Sequence, residues 1–233
     1  MHKIAQIRKL SLWIFSIPFI SINLCLIISQ NFQFFENTIF IVDQIGRSAF
    51  SIPYFDGSLS ISRASRTFPQ YLIFKPAMIL TAILLYYYWC ACNTLVNNFR
   101  NTNIDYKFKT FGILSAIFLA VHSVFLGIKF DIQIYKLLRR VVLLLFIIFE
   151  IIAQGILVYH FFKIKNLLAE LINKKILTLK IILVSILTII AILSLPILLN
   201  ENNTHFKHAL EWNYFVGVIL FYLFSRFFWK RTT

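Results

Sequence analysis

Glycine and acidic residues are scarce in this chain of 233 residues, which carries six glycines and nine aspartates and glutamates against twenty-three lysines and arginines. It contains no glycine-rich phosphate loop and no H-E-x-x-H, G-x-S-x-G or C-x-x-C sequence. Without these, the chemistries of P-loop nucleotide hydrolases, zinc proteases, α/β-hydrolases and thiol redox domains have no foothold. Few glycines also mean few small-xxx-small contacts, so any helices must pack through Leu, Ile and Phe. Of the three cysteines, Cys25 stands alone and Cys90 and Cys92 have C-x-C spacing, which reads as free thiols and not as a zinc or disulfide framework. No metal or other cofactor is called for. Charged residues make up only 14% of the chain, against about 25% in soluble domains, and a water-exposed globular surface is excluded.

What fills the chain instead is apolar: 59% of residues are hydrophobic and the mean hydropathy is +0.78. Six runs, at 10–29, 71–96, 111–130, 141–162, 181–199 and 210–229, approach the ~20 residues needed to cross a ~30 Å hydrocarbon core. They are too long for the ~10-residue alternating strands of a membrane barrel. The sequence therefore predicts an all-α polytopic membrane protein. It is expected to form one domain over 1–233, a six-transmembrane-helix bundle with a long ordered first extracytoplasmic loop at 30–70.

The net charge of +14 does not point to nucleic acid, because the basic residues stand at the ends of the apolar runs and not on one face or in one tail. They are better read as topology signals. With both termini inside, Lys3, Arg8, Lys9, Arg100, Lys107, Lys109, five lysines from Lys163 to Lys180, Lys230 and Arg231 give thirteen inner charges. Arg47, Arg63, Arg66, Lys129, Lys136, Arg139, Arg140 and Lys207 give eight outer ones. An N-in/C-in, multi-pass topology follows. The first run is longer than a secretory h-region and no small-x-small site follows Ser29, so it is expected to remain as a span. Tyr86 to Trp89 and Phe227 to Trp229 are expected to form interfacial aromatic belts.

A connection of about forty residues is long enough to be functional. Phe35, Ile39, Val42 and Ala49 fall near helical spacing, with Glu36, Asp43 and Arg47 opposite, so an amphipathic helix is expected at 32–45. Beyond it, Pro53 and Asp56-Gly57 are turn formers. Ser58, Ser60, Ser62 and Ser65 with Arg63 and Arg66 make a donor-rich surface at headgroup height, and Arg presents the fork that matches phosphate. Ser60, Ser62, Arg63, Arg66, Lys75 and Glu211 are the candidate lipid-headgroup residues. An ordinary solvated loop is the alternative.

The segment Ile52-Pro53-Tyr54-Phe55-Asp56 to Phe68-Pro69, a second span starting at Tyr71, and Ala209-Leu210-Glu211-Trp212 leading into the last span together resemble the Frag/DRAM/Sfk superfamily. That group of six-helix membrane proteins includes the post-GPI-attachment lipid-remodelling proteins and the N-terminal domain of the yeast Cwh cell-wall protein. The resemblance covers nearly the whole layout, with Ser60–Ser62 and Glu211-Trp212 as the matching positions. It implies membrane residence, membrane lipids as partners and, for some members, remodelling of the lipid on a GPI anchor. It carries over no catalytic residue.

Ionisable groups at membrane depth cost ~3 kcal/mol or more and need a partner or a role. His122 stands about eleven residues from the inner end of its run, or ~17 Å, and Glu150 about nine from the outer end of the next. These depths coincide near the midplane, so His122 and Glu150 are expected to meet, with Gln154 one turn from Glu150 on the same face. Such a trio is either an acid–base site or a packing device in which costly groups satisfy one another. Lys75 and Glu211 are expected at the outer interface, where they can pair. His205 and His208 have H-x-x-H spacing without a third ligand. Three readings remain: a protein that binds or remodels a membrane lipid, a small transporter or channel lined by His122, Glu150 and Gln154, or a non-enzymatic interaction protein.

Overall fold

Apolar runs must satisfy every backbone N–H and C=O internally when lipid is the solvent, and helices are what this chain forms. The computed structural model describes residues 2–35, 38–39, 49–127, 133–199 and 203–230. Eight α-helices are found there: α1 His2–Gln30, α2 Pro53–Asp56, α3 Ile61–Ser65, α4 Gln70–Arg100, α5 Lys107–Phe125, α6 Gln133–Lys163, α7 Lys174–Leu199 and α8 Thr204–Phe228. Among the described residues there is no strand, only an isolated antiparallel bridge between Ile172 and Trp229. The chain is an integral membrane protein by this architecture. Five segments, His2–Gln30, Gln70–Arg100, Lys107–Phe125, Val141–Lys163 and Lys174–Ser194, are long and apolar enough to cross a bilayer. The sixth expected run, 210–229, lies almost wholly within α8, which has 25 residues but a more polar composition.

The long helices pack in chain order, α1 on α4, α4 on α5, α5 on α6, α6 on α7 and α7 on α8, and α8 closes the ring against α1. Large rings fill the centre, with Tyr88, Trp89, Phe161, Trp212, Phe221 and Tyr222 almost wholly buried. Ile20, Ile27, Ile83, Ile117, Ile189 and Leu193 face outward, as expected where the outer solvent is lipid. Gly112 on α5 is packed so closely that a Cβ there would lie 2.3 Å from the Trp89 ring.

Several expectations are corrected. Of the amphipathic helix expected at 32–45, only a 3-10 turn at Phe32–Phe35 is described, and most of that segment lies outside the described residues. Further along the described part of the first loop stand α2 and α3. In α2, Pro53 at the first turn supplies its fixed φ; α3 is capped by Ser60, whose side chain accepts from the Arg63 N–H at 3.1 Å. Helix α6 begins at Gln133, while the part of it long and apolar enough to cross a bilayer is Val141–Lys163. The belt expected at Tyr86 to Trp89 is split, since Tyr86 and Tyr87 are exposed whereas Tyr88 and Trp89 are buried and α4 runs on to Arg100. Lys180, counted among the inner-loop lysines, lies inside α7 and is fully buried.

Candidate functional site

Two polar constellations stand out, one at the centre of the bundle and one at the end that carries α2 and α3. At the centre, α6 contributes Glu150 and Gln154, one turn apart and both fully buried. The Ser115 hydroxyl of α5 and the Tyr222 hydroxyl of α8 donate to the Glu150 carboxylate. Gln154 Nε2 donates to the same carboxylate at 3.0 Å and to the Val218 carbonyl at 3.2 Å. Three donors from three helices thus compensate the removal of one carboxyl group from water.

Toward the end that carries the chain termini, Lys180 Nζ donates to Ser225 Oγ at 2.7 Å, and Ser225 Oγ is also 3.1 Å from the Tyr88 hydroxyl. The ammonium lies 3.9 Å from the centroid of Phe221, 5.3 Å from Phe228 and 5.9 Å from Phe161. An aromatic cage and one hydroxyl therefore replace its hydration shell. Tyr88 and Tyr222 meet edge to face at 5.0 Å and join this group to Glu150. A cavity of about 20 Å³ borders Glu150 and Tyr222, room for a single water molecule.

His122 does not take part. It is buried on α5, seven residues beyond Ser115, which is ~10.5 Å along the axis. Its ring bonds the backbone of Arg139, and the bonds that Glu150 makes run to Ser115, Gln154 and Tyr222. The expected His122–Glu150 meeting is thereby corrected, while Gln154 joins Glu150 as expected. Sequence reasoning missed Tyr88, Ser115, Lys180, Tyr222 and Ser225.

At the opposite end, the first turns of α8 grip the backbone of the loop. His208 Nδ1 bonds the Gly57 carbonyl at 3.0 Å, Trp212 Nε1 donates to the Leu59 carbonyl at 2.7 Å, and Asn213 Nδ2 donates to the Tyr54 carbonyl at 2.7 Å. The Glu211 carboxylate accepts the Ile61 and Ser62 N–H groups at the start of α3, where the helix dipole also favours negative charge. The Tyr54 ring stacks edge-on against Trp212 at 4.9 Å, and its hydroxyl donates to Asn23 Oδ1 of α1 at 3.1 Å. Gly57 has a φ of +58°, and a Cβ there would fall 1.7 Å from the His205 carbonyl oxygen. Only glycine satisfies both the backbone and the space. The N–H of Ser58, the loss of solvent, the Ser58 hydroxyl, the N–H of Ile52 and His205 act on the Asp56 carboxyl, and their sum holds it below its usual range.

These contacts relocate the candidate headgroup residues. Ser60 is buried and its hydroxyl caps α3, and Ser62 offers its N–H to Glu211. Lys75 donates to the Val124 carbonyl at 3.3 Å and lies 5.5 Å from the Tyr71 ring centroid, so Lys75 and Glu211 go to different partners. The H-x-x-H pair is a docking element, with the His205 backbone against Gly57 and the His208 ring on its carbonyl. Arg63 remains exposed and Arg66 is half-buried. Burial first, then the charges of Arg139 and Arg63, push the Arg66 guanidinium below its ordinary value. Comparison of the chain with known protein families, with characterised proteins and with solved structures finds no match.

Proposed function

We propose that this is a six-span membrane protein of N-in/C-in topology that binds an anionic membrane lipid at its outer cap, with Arg63 and Arg66 receiving the headgroup phosphate beside Arg139. The observation that carries this reading is that Arg63 of α3 and Arg66 at its C-terminal end stand three residues apart on the cap, the first exposed and the second half-buried. Guanidinium forks match phosphate oxygens two at a time. The cap that presents them is fixed by five hydrogen bonds to α8, so the site is preorganised. The resemblance to the Frag/DRAM/Sfk superfamily, some of whose members remodel lipid anchors, supports the same class of partner. The space at Glu150, about 20 Å³, admits neither headgroup nor acyl chain, so it does not serve as the lipid site in this reading. The same closure disfavours a polar pore through Glu150 and Gln154.

A test is retention of phosphatidylglycerol against phosphatidylcholine by the purified protein, counted by native mass spectrometry. The Arg63→Gln, Arg66→Gln double variant is expected to hold phosphatidylglycerol at least ~10-fold more weakly, a loss of about 1.4 kcal/mol. Gly57→Ala, which keeps every charge but displaces the cap, is expected to weaken it as well. Wild-type retention in the arginine double variant would overturn the assignment.

A further inference from the structure

The carboxyl group at the centre of the bundle is held by neutral groups alone. Glu150 Oε1 accepts from the Tyr222 hydroxyl and from Gln154 Nε2, and Oε2 accepts from the Ser115 hydroxyl. No lysine, arginine or histidine is among these partners. The titratable side chains that the neighbouring helices bring to this region are Tyr88 and Cys92 of α4, Lys180 of α7 and Tyr222 of α8, all almost wholly buried. Lys180, the basic residue of that set, is bound to Ser225 and ringed by Phe221, Phe228 and Phe161. Helix α1 brings Ile14 and Pro18 to the space beside Glu150, and His122 of α5 stands two turns away with its bond to the Arg139 backbone.

The frame around the carboxyl can hold a proton without moving a heavy atom. Ser115 Oγ stands between two acceptors, Glu150 Oε2 and the Gly112 carbonyl, the latter at 2.9 Å. With the carboxyl ionised, the hydroxyl hydrogen of Ser115 points to Oε2. With a proton on Oε2, the carboxyl donates to Ser115 Oγ and the hydroxyl hydrogen turns to the Gly112 carbonyl, because a serine hydroxyl both donates and accepts and rotates to suit its partners. Oε1 keeps Tyr222 and Gln154 as donors in both states. No polar group is left unsatisfied on either side of the exchange, which is the condition a buried network must meet. A purely architectural carboxyl needs one of these arrangements; this one is provided with both. Nor does a proton need a cavity, and the ~20 Å³ beside Glu150 and Tyr222 has room for the single water molecule that exchanges one.

We propose that Glu150 is a reversible proton-binding site, with its proton seated on Oε2 and donated to Ser115, whose own hydroxyl hydrogen then goes to the Gly112 carbonyl. The step is balanced: a proton enters from water, an O–H bond forms on the carboxyl, the charge of the interior rises by one, and no electron moves. The ligand is the proton itself, and the site is independent of the cap formed by α2 and α3.

The experiment is infrared difference spectroscopy of the full chain in lipid nanodiscs, titrated from mildly acidic to alkaline pH and read at the C=O stretch of a protonated carboxyl, which a carboxylate lacks. Wild type is expected to gain this band on acidification and to lose it on return. The part belonging to Glu150 is what disappears in Glu150→Gln and survives in Glu211→Gln, whose carboxyl is held by backbone N–H groups of the cap. Elution volume and melting temperature are recorded for each variant; should Glu150→Gln fail to fold, Glu150→Asp serves in its place and moves the band where the first would remove it. Tyr222→Phe then locates the proton. It takes a donor from Oε1, the carbonyl oxygen of the protonated group, so the band is expected at higher frequency, whereas an unchanged frequency would put the proton on Oε1 and refute the seating at Ser115. A difference spectrum to which Glu150 contributes no carboxyl band at any pH would show a permanent carboxylate, and a Glu150 band of constant height would show a permanent acid; either result overturns the proposal.

Discussion

The bond from Tyr222 to Glu150 is the contact in the bundle whose loss is easiest to isolate. Ser115 has a second acceptor in the Gly112 carbonyl at 2.9 Å, and Gln154 has one in the Val218 carbonyl at 3.2 Å. The Tyr222 hydroxyl, among the described residues, has only Glu150. Replacing Glu150 with Leu, close to it in size, therefore strands one hydroxyl in a dry interior, at a cost of about 1–3 kcal/mol. Tyr222→Phe leaves the carboxylate with two donors where it had three, and a hydrogen bond to a charged group is worth about 1.5–3 kcal/mol. The double variant strands nothing, so it should be less damaging than the two single changes added together. Neutral interhelical bonds in membranes average only ~0.6 kcal/mol and reach ~1.7; with a carboxylate as acceptor, a coupling of about 2 kcal/mol is expected. The assay is a double-mutant cycle on reversible unfolding in bicelles. Additivity within ~0.5 kcal/mol, the range of independent sites, would refute the idea that these groups satisfy one another.

Lys180 should behave differently from Glu150, because its desolvation is offset by a single hydroxyl and three rings. Lys180→Met removes the charge at nearly constant shape and is expected to be neutral or stabilising by up to ~4 kcal/mol, whereas Ser225→Ala takes away the one hydrogen-bonding side chain and should destabilise by about 3 kcal/mol; equal destabilisation by both would show that the ammonium contributes favourably. For topology, a cysteine placed at Lys174 should resist an impermeant thiol reagent applied to intact cells while one at Lys207 reacts. Labelling at Lys174 from outside would invert the orientation.

The spans were legible because lipid imposes a length on apolar runs, and the runs at 71–96, 111–130 and 181–199 fall within or beside α4, α5 and α7. The inward faces were much less legible. In a soluble helix the apolar stripe marks the core, but in lipid both sides are apolar, so only the rare polar residues point inward. Thr81, Tyr88 and Cys92 on α4, Glu150 and Gln154 on α6, and Tyr222 and Ser225 on α8 recur at three, four or seven residues and are all buried. Reading those stripes together was the signal that would have found the interior site. Depth counting failed at His122 because it measured from the expected ends of the runs. The Ser115–Glu150 and His122–Arg139 contacts set the true register of α5 against α6, two turns away. Lys180 escaped for a related reason: it continues a series of lysines in sequence, yet it lies three residues from Leu177 and four from Val184 on the buried face of α7.

The cap formed by α2 and α3 against α8 depends on residues more than 140 positions apart, and local propensity carries no information about such a meeting. Tyr54, Gly57, Leu59, Ile61 and Ser62 offer mostly backbone groups to α8, so any sequence with the same turn would present similar atoms. Specificity resides on the other side, in the polar residues His208, Glu211, Trp212 and Asn213, which stand on one and a half turns of helix. Their presence bears on the proposed sixth span. They lower the hydropathy of α8 relative to α5, α6 and α7, yet at that end they are consumed by the loop, and further along Tyr214 donates to the Leu187 carbonyl at 3.0 Å and Tyr222 to Glu150. A polar side chain whose hydrogen bond is made inside the protein does not carry its full transfer cost into lipid. Composition therefore overstates the cost of placing α8 across the bilayer, and a ring in which α8 is walled by α1 and α7 is the arrangement in which that cost is offset.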